Sequence, residues 1–266
     1  MARVASPGDT ARYAAASGDE PSESYLASVS DLMSGLIFFF ILVLLAFVIN
    51  YRQATGELTG TLEVRDAILA QVSDMLERDG VRVQVGEGLL RLPESILFPL
   101  GSAELTPEGQ RALRSLARAL STVLPCYVGD PDDPLPPSCP PGARRGKLDA
   151  VFIEGHTDNL PLRDTARYAD NWELSTARAR NTYQALVSVA PELDSLRNFA
   201  GQPLFSIAGY ADRRPVAPND TDATRQLNRR IDVRLIMASP TLSDIMASEL
   251  PSLSRPATQG ASGDGR

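Results

Sequence analysis

The chain has 266 residues, enough for one folded domain with an anchor and tails or for two small domains, and its 43% hydrophobic and 22% charged residues are an ordinary globular mixture. Its 33 acidic residues outnumber 26 basic ones, a net charge of −7 that argues against a general nucleic-acid binder. No nucleophile–base set, metal-ligand cluster or phosphate loop is apparent in the sequence, so neither an enzyme nor a cofactor is expected.

Residues 1–24 are rich in Ala, Ser, Gly and acids with no apolar period, and are expected to form a disordered tail. A helix is predicted over 25–52. Within it Leu32–Ile49 reads LMSGLIFFFILVLLAFVI without a charge, which at 1.5 Å per residue spans about 27 Å, close to a bilayer core. A cleaved signal peptide fits less well, because a long acidic stretch precedes the run and AFVINYRQ offers no small-x-small site. Tyr51 and Arg52 make an interfacial pair at the exit. Asp31 stands just before the apolar run, nearly two turns inside a helix counted from Tyr25. An ionisable group there is costly unless paired, wet or protonated, so it reads either as an ion-handling group or as an interfacial cap. Arg3 and Arg12 on one side balance Arg52 and Arg65 on the other, leaving the positive-inside rule undecided.

After a Thr55–Gly56 break, residues 53–80 read as a helical connector. Leu58, Leu62, Leu69, Val72 and Leu76 fall at alternating spacings of four and three, with Arg65 in the remaining slot. That pattern suits a short dimer coiled coil or a helix packed on its own domain. A domain is predicted over 81–238. VRVQV and LLRL alternate as strands around Gly86-Glu87-Gly88. Thr106-Pro107-Glu108 starts a helix that Pro125 stops. Cys126 and Cys139 flank a Pro-rich loop and read as a disulfide, the alternative being two free thiols. A bond would suit an oxidising compartment and place the cytoplasm on the side of the N-terminus. Strands at 148–155, 203–210 and 231–237 and a helix over roughly 172–189 complete the order β-β-α-β-α-β-(short α)-β. That order suits an α+β, two-layer α/β sandwich with a mixed sheet. A short helical piece and a largely disordered tail are expected over 239–266.

The loop after the strand at 148–155 concentrates His156, Thr157, Asp158, Asn159, Asn171, Trp172, Ser175 and Arg178. A helix starting between Asn171 and Ser175 would put Arg178 in its first turn, where the dipole disfavours a cation unless an anion sits with it. Asp158 and Arg178 together suit a zwitterion, ammonium to one and carboxylate to the other; a structural Asp–Arg bridge is the alternative. His156, lacking metal or catalytic partners in the sequence, reads as loop framework.

Gly155–Asn159 (GHTDN), then Asn171, Leu174, Ser175, Arg178 and Ala179 in an N-x-x-L-S-x-x-R-A pattern, then Asn228–Arg230, resemble the OmpA-like peptidoglycan-binding domain; ILFPLGSAELTPEGQRAL resembles its first strand-turn-helix. The resemblance covers about residues 81–237. It implies noncovalent binding of peptidoglycan diaminopimelate, with its ammonium on Asp158, its carboxylate on Arg178, and Thr157, Asn159, Asn171, Leu174 and Ser175 around them. Asn228–Arg230 are expected to shape the loop.

S-D-L-M-S-G before a Phe-rich span and Asn171-Trp172-Glu173-Leu174-Ser175 resemble the flagellar stator subunit MotB, with one membrane helix, an aspartate at its cytoplasmic end and an OmpA-like domain outside. The short connector, acidic tail and cysteine loop look more like ZorB, the MotB-like subunit of the Zorya anti-phage defence system. That resemblance implies a homodimer inside a pentameric multi-span ZorA-like partner (a 5:2 complex) in the inner membrane. Asp31 would then translocate protons, or sodium with Ser30 and Ser34 nearby. A passive OmpA-like wall tether and an ExbD/TolR-like subunit are the rival readings; the latter lacks the outer domain.

Overall fold

The computed structural model describes residues 21–162 and 167–239. The two expected tails therefore lie almost wholly outside the described residues. Helix α1 runs from Pro21 to Arg78, β1 covers Gln84–Gly86, β2 Leu89–Pro93, α2 Glu94–Leu97 and α3 Pro107–Val123. Strand β3 follows at Leu148–His156, then α4 at Asn171–Val189, α5 at Glu192–Ser195, β4 at Phe205–Gly209, α6 at Asp222–Asn228 and β5 at Arg230–Met237.

The chain divides into two compact units, one ending at Gly56 and the other beginning at Glu57. In the first, Ser28–Arg52 is a 25-residue helical stretch whose most apolar 18 consecutive residues have a mean hydropathy of 3.0, none of them buried. Its large apolar side chains from Leu32 through Phe47 are exposed on every face. A helix apolar all round and uncovered by protein has the composition and length to cross a membrane. Asp31 lies ten residues after Pro21, deeper in the helix than a start at Tyr25 implies. The expected break at Thr55–Gly56 is absent, because α1 continues through both residues. An interior glycine costs a helix only about 1 kcal/mol, too little to end one that long.

The second unit is built on a five-stranded mixed sheet of order β1-β2-β5-β3-β4, in which only β3 and β4 pair in parallel. This is the α+β mixed-sheet architecture expected from the sequence. The first predicted strand is shorter than VRVQV, since pairing begins at Gln84. It turns into β2 through Glu87 and Gly88, with φ of 51° and 78°, the left-handed pair a two-residue hairpin needs. Leu90, Leu92, Val151, Ile153, Ile231, Val233 and Leu235 share one face by register and are buried. Helices α3 and α4 cover them. Thr106 caps α3 by accepting from Gly109 N at 2.8 Å, with Pro107 in the first turn.

The last turns of α1 belong to this core. Ile68, Leu69, Val72 and Leu76 are at most 1% exposed and lie in the same apolar cluster as α3 and the sheet. Leu69, Val72 and Leu76 thus pack on their own domain, and these seam residues are not free for a coiled coil. Leu62 remains exposed. Arg65, the interruption in the spacing, lies over Gly88 of the hairpin. Cys126 and Cys139 form a disulfide with Cα atoms 5.6 Å apart. Tyr127 O, beside Cys126, accepts from the backbone N–H groups of Lys147 and Leu148 and ties the loop to the start of β3.

Candidate functional site

Two glycines bring the start of α4 onto the ends of β3 and β4. A Cβ on Gly155 would lie 2.0 Å from Ser175 O, and one on Gly209 would lie 2.2 Å from Thr176 Oγ1. Ser175 is fully buried in this contact, and its Oγ accepts from Ala211 N at 3.1 Å. Leu174 is buried beside it. Thr157 N donates to Ala211 O, so the chain leaving β3 is held against the chain leaving β4. Asp170 caps α4 by accepting from Glu173 N at 2.9 Å. Asn171 Nδ2 donates to Leu160 O at 3.0 Å and to Asp158 O at 3.3 Å, closing the loop over the helix start. Thr157 Oγ1 donates to Asp158 O at 2.9 Å, while Asn159 is exposed at the loop tip.

Asp158 and Arg178 are brought into one cluster but not into contact with each other. Asp158 Oδ2 accepts from Arg229 Nη1 at 2.6 Å. Arg229 Nε lies 2.9 Å from Glu94 Oε2, and Glu94 Oε1 is bonded to Arg178 Nη2. Charge therefore alternates along Asp158, Arg229, Glu94 and Arg178. The Asp158–Arg178 bridge considered from the sequence does not form. Nor is Arg178 in the first turn: α4 begins at Asn171, so Arg178 is its eighth residue and the dipole argument does not apply to it. Its anion is internal. Arg178 is 1% exposed, Nε donates to Ser102 O at 2.8 Å, and its guanidinium lies 5.5 Å from the Phe98 ring centre. Burial lowers the Arg178 pKa, opposed by the Glu94 charge. Burial likewise pushes the Glu94 carboxyl up, against the pull of Arg178 and Arg229.

Glu94 is the residue that sequence reasoning missed, and Arg229, read from the sequence with Asn228 and Arg230 as shaping the loop, instead bridges Asp158 and Glu94. Glu94 is legible only as an acid inside the apolar stretch LLRLPESILF. Asn228 shapes the loop as expected: its Oδ1 accepts from Val216 N at 2.8 Å and Ala217 N at 3.0 Å. Arg230 turns the other way, to Asp232 and to the carbonyls of Asn228 and Arg214.

His156 is buried at the end of β3 and stacks on Tyr210 with ring centres 5.3 Å apart. With Glu154 and Asp232 it forms a group whose ligand atoms lie within 4.8 Å of one another. A cation fits poorly there. Arg234 holds both oxygens of Glu154, and Arg91 with Arg230 holds both oxygens of Asp232. A metal would face three guanidiniums. Burial keeps His156 below its ordinary pKa. Asp31 is exposed on α1, where Ser34 Oγ donates to Ser30 O at 2.7 Å.

No protein-family model matches the chain. Motility protein B of Bacillus subtilis (strain 168) is 31% identical over 151 residues, 56% of this chain and 46% of that protein. A protein of the same organism described as uncharacterized, YtxE, is 29% identical over 185 residues, 67% of this chain and 62% of its own length. The chain thus spans between about half and three fifths of these two relatives. A crystal structure of a MotB-like protein from Desulfovibrio vulgaris matches with a TM-score of 0.50 at 22% identity, covering 68% of this chain and 98% of that one, a likeness of fold. Motility protein B of Helicobacter pylori (strain J99 / ATCC 700824) is 29% identical over 95 residues, 36% of this chain and 33% of that protein.

Proposed function

We propose that the chain is a single-pass inner-membrane subunit of a rotary motor of the stator type. The second unit binds peptidoglycan outside the cytoplasm, and Asp31 takes up and releases the driving ion. The observation that carries this reading is a carboxylate on an uncovered, membrane-length helix in the same chain as a MotB-like domain. Asp158, with Thr157, Asn159 and Asn171 on its loop, faces the ammonium of a diaminopimelate stem; Arg178, with Leu174 and Ser175 behind it, serves the carboxylate end. The protein performs no covalent chemistry. Charging and neutralising Asp31 changes its cost in the membrane and hence its preferred packing. A homodimer inside a pentamer of a multi-span ZorA-like partner, a 5:2 assembly, converts that change into steps of rotation around the wall-fixed dimer. Proton is the ion proposed.

Among stator types the reading is ZorB of Zorya anti-phage defence. In its favour are the short interval between Arg52 and Gln84 and the disulfide loop. Similarity to motility protein B favours the flagellar type as the second reading.

Asp31→Asn tests the proposal. It keeps shape and removes titration, so assembly with the partner should persist while phage protection, or motility in the flagellar reading, is lost. A passive wall tether predicts the reverse, since removing a costly membrane charge is neutral or stabilising. Full activity of Asp31→Asn at normal assembled levels would overturn ion coupling.

A further inference from the structure

The guanidinium that the wall-binding reading assigns to a ligand's carboxylate already holds one. Arg178 is 1% exposed and Glu94 4%. The Glu94 carboxylate spans two guanidiniums, with Oε1 on Arg178 and Oε2 2.9 Å from Arg229 Nε. A carboxylate between two guanidiniums is the arrangement a ligand carboxylate would seek. The backbone carrying Glu94 is firmly placed: Glu94 N donates to Arg229 O at 3.1 Å, Thr106 N to Leu97 O at 2.9 Å, and Thr106 Oγ1 to Ile96 O at 2.7 Å. Leu97 is further pinned by Gly109, where a Cβ would come within 2.5 Å of Leu97 O. Exchange at this position therefore falls to the Glu94 side chain. On the far side of Arg229, Asp158 is 7% exposed and forms the other end of the same charge chain.

We propose that Glu94 is an internal occupant of the carboxylate position in the ligand site, and that a zwitterionic amino-acid ligand binds by displacing it from Arg178 and Arg229. This rests on the peptidoglycan-binding reading and adds a competing group to it. The apo protein thereby avoids burying an unpaired arginine, which is strongly destabilising. Affinity for the free ligand is lowered in return, and ligands without a carboxylate gain nothing by opening the pair.

The test uses the full chain in detergent and the soluble tripeptide L-Ala–D-Glu–meso-diaminopimelate, with affinity by calorimetry and stability by thermal unfolding. Glu94→Gln should bind the tripeptide about tenfold more tightly or better while melting at a lower temperature without ligand. A purely positioning role for Glu94 predicts that affinity and melting temperature fall together, and that result, or unchanged affinity, overturns the proposal. Glu94→Asp keeps the charge on an arm one methylene shorter, and should show a smaller gain in affinity. It carries the test if the Gln variant does not fold. Asp158→Ala is the control for the underlying reading. If the wild type binds, Asp158→Ala does not, and neither Glu94 variant gains affinity, the internal-occupant proposal alone fails. If no form of the folded chain binds the tripeptide, the peptidoglycan reading fails and takes the proposal with it.

Discussion

On the face of the sheet turned away from α3 and α4, paired charges take the place that apolar side chains hold on the other face. Glu154 receives both nitrogens of Arg234 across the β3–β5 pairing, at 2.9 and 3.0 Å. Burial raises the Glu154 carboxyl, but the paired hydrogen bonds and the charge of Arg234 outweigh it and bring the value down to about 2. His156 Nε2 lies 3.9 Å away, beyond hydrogen-bond reach, so the Arg234 fork is the direct partner. A carboxyl lowered on folding contributes stability that is present above its unfolded value near 4.5 and is lost as pH falls from there towards 2. The full contribution is roughly 3 kcal/mol by linkage. Glu94 has the opposite sign, its folded value being raised, so the comparison must isolate Glu154. Unfolding measured at pH 7 and at pH 3 should show a large gap between wild type and Glu154→Gln at neutrality that narrows on acidification. An equal gap at both values would mean the Arg234 pairing does not set the carboxyl.

At the scale of the element, α1 illustrates how one helix serves two solvents. Its stretch from Ser28 to Arg52 has apolar side chains all round, whereas Ile68, Leu69, Val72 and Leu76 form a single stripe buried in the domain. A stripe of that spacing is equally compatible with a partner helix and with a sheet-and-helix core, since both bury residues at i, i+3, i+4 and i+7. Only the cluster around it distinguishes them. Leu76→Ala is therefore expected to destabilise the domain by about 2–5 kcal/mol, the usual cost of truncating a fully buried leucine. Thermal unfolding together with cross-linking of the proposed dimer would check it. A dimer lost with an unaffected melting temperature would return the stripe to a coiled-coil role.

Across the whole molecule, the disulfide joins residues 13 apart and fastens a Pro-rich excursion whose near end, Cys126, lies in the apolar core. Closing a loop of that length is worth about 3 kcal/mol, chiefly by limiting the unfolded chain. The double variant Cys126→Ala/Cys139→Ala should keep the fold and lose roughly that stability in denaturant unfolding. Alkylation of the untreated protein should leave both cysteines unmodified. Complete modification without reductant would remove the bond and, with it, the reason to place this domain in an oxidising compartment.

Periodicity and local chemistry were sufficient for the membrane-length helix, the capped start of α3 and the succession of strands and main helices after residue 80, because each depends on residues near one another in the chain. The same holds for the loop from Thr157 to Asn171, whose hydrogen bonds close on its own backbone and on the start of α4. The mixed-sheet class followed from the succession of elements, whereas the pairing of β2 with the distant β5 is tertiary. Thr55–Gly56 misled because a local breaker carries too little energy to end a helix continued on both sides. What tertiary structure decided was the pairing of charges. Arg178 meets Glu94, 84 residues earlier in the chain, and Asp158 meets Arg229, 71 residues later. Burial leaves an ion little choice but to find a partner, yet sequence spacing says nothing about which opposite charge the fold brings within reach. The burial of Leu69, Val72 and Leu76 was settled in the same way, by the sheet and α3 arriving against one stripe of α1.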